Sequence, residues 1–237
     1  MFEAVSVILD GAGFYSGDLD DFKSLLEHLG FKTHPLREVK LDELSRGKVL
    51  LICPRYEMRT RDQVSLMLRA IRDGLGALVL LDTESAPHFD FASKFLAEMG
   101  IYVSDNIIKE QNDTEHVLLT SINKKHSITS GVNEIIAQHP KALILIDGES
   151  DKNRVLVRSS KNHSPPDAIV SCVVHYGNGN VVVFSSCSIA NNSLLGKANN
   201  AIFLVSSIYW LAGLKLPVDL SDRIARALAV FSIESVL

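Results

Sequence analysis

Three aspartates, Asp10, Asp82 and Asp147, each close an apolar run, and Glu84 and Glu149 stand two residues beyond the last two. In a parallel α/β sheet such positions rim the carboxyl ends of the strands, where ligands bind. Carboxylates gathered there could hold Mg²⁺, because hard cations prefer oxygen ligands. An aspartate after a strand also bonds nearby backbone amides and starts a turn, and that is the role expected here. Asp10, Asp82, Glu84 and Asp147 are therefore read as candidate contacts for a polar ligand, with no resident metal or cofactor.

The thiols offer a second chemistry. A cysteine hydrolase needs a thiolate on a sharp strand-to-helix turn with a histidine beside it. Cys53 closes the third apolar run, but Pro54 follows and no Gly-x-Cys-x-Gly elbow surrounds it. Cys172 and His175 are three apart on one strand, so they point to opposite faces. Cys187 lies in Ser185-Ser186-Cys187-Ser188, directly after the last core strand, where small residues would let the backbone approach a ligand. Cys187 and Cys53 are the candidate nucleophiles, against the commoner reading of small buried thiols. Ser185, Ser186 and Asn191 complete the candidate ligand-binding set.

Other patterns carry less. Gly11-Ala12-Gly13-Phe14-Tyr15-Ser16-Gly17 follows the first strand like a phosphate loop. However, Asp18, Asp20 and Asp21 crowd the next helix start, where a phosphate needs positive potential. The histidines show neither HxH nor HExxH spacing, so no zinc site is indicated. His126 and His163 are read as surface or loop residues.

Net charge is −4, from 24 basic and 28 acidic residues, without a long run of one sign. A nucleic-acid binder would need a basic face. Three cysteines without a CxxC point to a reducing compartment rather than a disulfide scaffold. The first residues lack the features of a signal peptide. The run 198–214 is shorter than the about 20 apolar residues a membrane span requires. The expectation is a cytoplasmic chain with no membrane span.

Near-continuous apolar runs at Ala4–Leu9, Phe31–Pro35, Val49–Ile52 and Ala77–Leu81 suit parallel strands covered on both faces. Amphipathic segments at Leu19–Leu29 and Arg61–Leu75 lie between them, the second with Thr60 as N-cap. A further helix is expected at Phe89–Met99, a strand at His116–Thr120, a helical turn at Asn133–Ala137 and buried strands at Ala142–Ile146 and Val155–Val157. The repeated pattern Ala77–Ser85 and Ala142–Ser150 suggests two central strands built alike. Ala168–Tyr176 and Val181–Phe184 flank Gly177-Asn178-Gly179-Asn180 and make a hairpin. An apolar helix then runs to Trp210-Leu211-Ala212, with Gly213 in the left-handed position after its end. Such a helix must be covered by later segments or by a second chain. Together these predict an α/β fold: a doubly wound, mostly parallel, flavodoxin-like sheet with a C-terminal antiparallel hairpin and covering helices. Residues 1–215 form one domain, and 216–237 form a C-terminal helix packed on it or at an interface.

Several segments in order, Val64–Asp82, Phe95–Ile101, His126–Val132, Gly179–Phe184 and Asn199–Gly213, resemble one family. It is the amidotransferase-like (GIFT-type) domain of gliding-motility auxiliary proteins and of the N-terminus of an intraflagellar-transport subunit. The resemblance implies a class I amidotransferase-like fold used as a non-catalytic module that assembles with protein partners. Sugar binding is the other role it implies. Members often carry a Gly-Asp-Ser-Asp type of loop after the last strand; here Ser185-Ser186-Cys187-Ser188 stands there, and any role of those carboxylates does not carry over. The first functional expectation is thus a binding or scaffold module with a protein partner and possible homo-oligomerisation. The alternatives are a sensor of carbohydrate or another small polar ligand at the carboxyl edge, and a cysteine- or metal-dependent hydrolase.

Overall fold

Short β-branched runs separated by amphipathic segments fold as alternating strands and helices. The computed structural model describes residues 5–10, 17–53, 60–81, 94–110, 115–146 and 154–234. The first half contains β1 (Ser6–Asp10), α1 (Asp20–His28), β2 (Lys32–Pro35), α2 (Leu41–Leu44), β3 (Val49–Ile52), α3 (Arg61–Arg72) and β4 (Gly76–Leu80). Helix α3 starts where the sequence signals it. Thr60 accepts from the Gln63 amide at 3.3 Å, and Gln63 Oε1 accepts from the Thr60 amide at 2.9 Å, a reciprocal capping box.

The middle is richer in strands: β5 (Ile101–Ile107), β6 (Lys109–Glu110), β7 (His116–Leu119), β8 (Ser121–Ile122), β9 (Ile135–Gln138) and β10 (Lys141–Leu145). It continues through β11 (Val155–Arg158) and β12 (His163–Ser164) to the hairpin β13 (Ile169–Tyr176) and β14 (Gly179–Phe184). Helices α4 (Asn192–Leu195), α5 (Asn200–Leu211) and α6 (Leu220–Glu234) close the chain.

The strands β2, β1, β3, β4 and β14 lie side by side in that order, all parallel. Beyond them β13 runs antiparallel to β14. Each face of this sheet carries its own apolar core. On one, Val7, Leu51, Leu80 and Phe184 meet α1, α5 and α6 through Phe22, Phe203 and Ile224. On the other, Ile8, Leu50 and Val79 meet α3 through Met67, Leu68 and Ile71. Burying each such side chain is worth about 1.5–3 kcal/mol. The expected three-layer α/β fold is therefore the one observed. Helix α5, apolar nearly all round, is covered within the chain: Leu220, Ile224 and Ala227 of α6 join its core.

Three local expectations need correction. Residues 133–137 are not a helical turn. Ile135 and Ala137 point into the core from β9, which pairs with β7, because alternate burial of a β-branched run suits a strand. The second of the two similar runs is not a central parallel strand. Instead, β10 pairs antiparallel with β13 and β5, and Ile144 on its outer face is 54% exposed. Its one register pair with β13, Leu143 with Ile169, lies beyond the last β13–β14 pair, Ser171 with Phe184. Strands β10 and β5 thus extend the sheet past the carboxyl end of β14. In the hairpin turn only Gly177 has positive φ, at 63°, as a type II′ turn requires. Gly179 serves packing instead: a Cβ there would lie 2.1 Å from the Ile71 carbonyl oxygen of α3.

Candidate functional site

The crossovers define where a ligand would enter. Helix α1, between β1 and β2, belongs to one core, and α3, between β3 and β4, to the other. The connections therefore change face between the adjacent strands β1 and β3, which makes this the topological switch point of the sheet. Asp10 and Cys53 stand at its carboxyl rim, where the Cys53 amide donates to the Asp10 carbonyl at 2.8 Å. Asp10 is 3% exposed and Cys53 fully buried. Asp82, Glu84 and Asp147 lie outside the described residues.

The next part of the rim is the segment after β14. Phe184 and its successors meet the end of β4: the Leu81 amide donates to the Phe184 carbonyl at 3.0 Å, and the Cys187 amide to the Leu81 carbonyl at 2.6 Å. Residues Cys187–Ala190 then form a short 3₁₀ turn, buried throughout. Cys187 packs into the core with Ile189, Ala190 and Leu195, so its thiol occupies the place of a small apolar side chain.

The serines here are engaged in structure. Ser186 Oγ donates to the Gln138 carbonyl at 2.7 Å and contacts Ser188 Oγ at 2.8 Å. Ser188 Oγ in turn accepts from the Gln138 amide at 2.8 Å. These bonds tie the end of β9 to the sheet rim. Two polar atoms differ: Ser185 Oγ and Asn191 Oδ1 are buried with no hydrogen-bond partner among the described residues. Such orphans are uncommon in folded proteins and cost about 1–3 kcal/mol each.

Other residues at this end went unread in the sequence. Asn192 Nδ2 donates to the Gly17 carbonyl at 3.0 Å, and its Oδ1 accepts from the Asp21 amide at 3.2 Å. Burial, followed by Asp20 alongside, raises the pKa of Asp21. Asn200 is fully buried; it accepts from the Ile136 amide at 3.0 Å and donates to the carbonyls of Ile136 and Leu194. Asn199 Oδ1 accepts from the amides of Asn133 and Glu134. The Asn-Asn pair that opens α5 thus holds the small β7–β9 sheet. The available signal was two polar residues preceding an otherwise apolar helix.

The remaining candidates fall elsewhere. Cys172 faces the α3 core, and burial pushes its thiol up to about 12, with Arg154 pulling weakly the other way. His175 is exposed on the opposite side of the same strand, beside Trp210. His163 is not a surface residue: it is 6% exposed in β12 and accepts from the Ser160 amide at 3.0 Å, whereas His126 does lie in a loop, between β8 and β9. His126 is half-buried against the Trp210 ring. Among the described residues no group of three His, Cys, Asp or Glu side chains could hold a metal ion. No described helix is long and apolar enough to cross a membrane.

No family model and no curated protein matches this chain. Solved structures do. The mmIFT52 N-terminal domain superposes with a TM-score of 0.74 at 16% identity, covering 90% of this chain and 100% of that one. A ThuA-like protein from Parabacteroides merdae ATCC 43184 gives a TM-score of 0.62 at 13% identity, with 92% and 94% covered. A cytoplasmic protein from Salmonella typhimurium LT2 gives 0.63 at 17% identity, with 87% and 99% covered. What is shared at these identities is the fold, the amidotransferase-like α/β fold expected from the sequence.

Proposed function

We propose that this chain is a non-catalytic module that assembles with a protein partner. The observation that carries the reading is the state of the carboxyl rim. The side chains of Ser186, Ser188 and Asn192, around the segment after β14, are engaged in holding the backbone of Gln138 and of Gly17. Cys187 is packed into the core beside them. Among the described residues, a rim used this way presents no exposed nucleophile beside a base of the kind turnover needs. The whole-length fold likeness to the mmIFT52 N-terminal domain points the same way. In this reading residues 1–215 form the module and the helix after Pro217 completes it.

Cross-linking with affinity purification, read by mass spectrometry, tests the proposal. A stoichiometric partner with cross-links confined to one surface is the expected result. A partnerless protein that turns over an ester or amide substrate, with loss on Cys187→Ala or Cys53→Ala, would overturn it.

One observation favours a second reading, a small polar ligand such as a carbohydrate at the same rim. Ser185 Oγ and Asn191 Oδ1 are buried polar atoms awaiting partners. A sugar hydroxyl donates and accepts, and so is a fitting partner for either group. That reading predicts a saturable rise in melting temperature with added saccharide, lost in Ser185→Ala. Without a ligand, Ser185→Ala should instead leave stability unchanged or raise it, since it removes an orphaned hydroxyl.

A further inference from the structure

We propose that His126, Trp210 and His175 form an acid-released latch, which in its closed state pins the segment 123–132 to the end of α5. The three rings come from three elements: the segment between β8 and β9, the last turn of α5 and the end of β13. The His126 and Trp210 ring centroids are 5.3 Å apart with planes at 62°, and those of His175 and Trp210 are 6.4 Å apart. The latch segment is anchored on its other side, where Ile128 and Thr129 are fully buried and Thr129 Oγ1 donates to the Asn123 carbonyl.

His126 is held in one protonation state by its own neighbour. The Ile128 amide donates to His126 Nδ1 at 3.3 Å, so Nδ1 must carry a lone pair and the proton of the neutral ring sits on Nε2. Taking up one proton from solvent at Nδ1 sets two donors against each other and removes this bond. The resulting cation also forms beside a second imidazole, His175, whose Nδ1 is bonded to Asn180. Trp210, the group facing it from α5, brings no charge. The charged neighbours on its own segment are Lys124 and Lys125, both cations, and Lys124 Nζ is already bonded to Asn133 Oδ1 at 2.7 Å.

Burial first, and the like charge of His175 second, hold the pKa of His126 below the ordinary value of 6.5. The folded chain therefore binds this proton less readily than the unfolded chain. Stability from this contact is complete above 6.5 and declines as pH falls from there through the folded pKa.

Trp210 is the only tryptophan, so its fluorescence in the full chain reports the latch directly. A titration of His175→Gln from pH 8 to 5, where His126 is the one imidazole left at the ring, should show a transition with a midpoint below 6.5. It should be absent when His126→Gln is added, and its midpoint should lie above that of the His126-dependent part of the parent chain's titration, where the like charge remains. Hydrogen exchange at the Ile128 amide should speed up across the same range. A midpoint at or above 6.5 would mean that the indole ring stabilises the cation and would overturn the latch. So would a transition that persists in the double variant His126→Gln/His175→Gln, or an Ile128 amide that stays protected at pH 5. Should His126→Gln fail to fold, the His175→Gln midpoint and the Ile128 exchange in the parent chain decide the matter alone.

Discussion

The two ends of the central sheet are held by different means. At the amino end, beside the Arg72–Tyr176 side-chain pair, the close contacts are backbone on backbone. Gly179 lies against the carbonyls of Ile71 in α3 and of Leu75 in the turn after it, Gly76 against the Leu211 carbonyl, and the Asn178 amide donates to the Arg72 carbonyl at 2.9 Å. At the carboxyl end polar side chains add to the backbone bonds: Ser186, Ser188, Asn192, Asn199 and Asn200 each bind the backbone of a distant segment. Close backbone packing leaves no room to change a residue. Side-chain ties can be altered one at a time, so it is the carboxyl end that can gain or lose ligand chemistry while the fold stays intact.

Substitutions at the two ends would break or sharpen this contrast. The largest effect is expected for Gly179→Ala, whose Cβ would meet a carbonyl oxygen at 2.1 Å. A loss of about 4 kcal/mol in denaturant unfolding is expected, the top of the range for one substitution. If it were tolerated, backbone contact would not be what closes the amino end. Asn200→Ala should cost about 2–3 kcal/mol, because it strands a buried amide and two carbonyls. Ser186→Ala should cost about 1 kcal/mol, since Ser188 still holds the Gln138 amide; a cost as large as that of Gly179→Ala would erase the distinction between the ends. Arg223→Ala, away from both, breaks only an exposed pair with Asp219 at 3.4 Å. It should change stability by less than about 0.5 kcal/mol and so marks the baseline.

The legibility of the sequence follows the same division. The parallel strands could be read because both faces of β1, β3, β4 and β14 are buried, which forces near-continuous apolar runs. The hairpin and Gly213 could be read because positive φ narrows the choice of residue; Gly213 does have φ of 70°. Strand β9 was misread since its four residues, half of them facing outward, are too few to reveal a period. Of the candidate site residues, Asp10, Cys53 and Cys187 were rightly placed at strand ends, which is a property of the chain alone. Their environments were less legible. Cys187 is buried, as the commoner reading of it held, but that Ser186 reaches Gln138 and that Asn200 reaches Ile136 both depend on which distant segment packs there. Those partners lie 48 and 64 residues away, and no local spacing encodes them.

The cysteines, unremarkable as chemistry, are divided between the layers. Cys172 lies in the core under α3, whereas Cys53 and Cys187 lie in the core under α5. A buried thiol meets a reagent only when the structure around it opens. Each side of the sheet thus carries its own clock. Equal labelling rates at Cys172 and Cys53 would mean that the sandwich opens as one body, and unequal rates would show which layer peels away first.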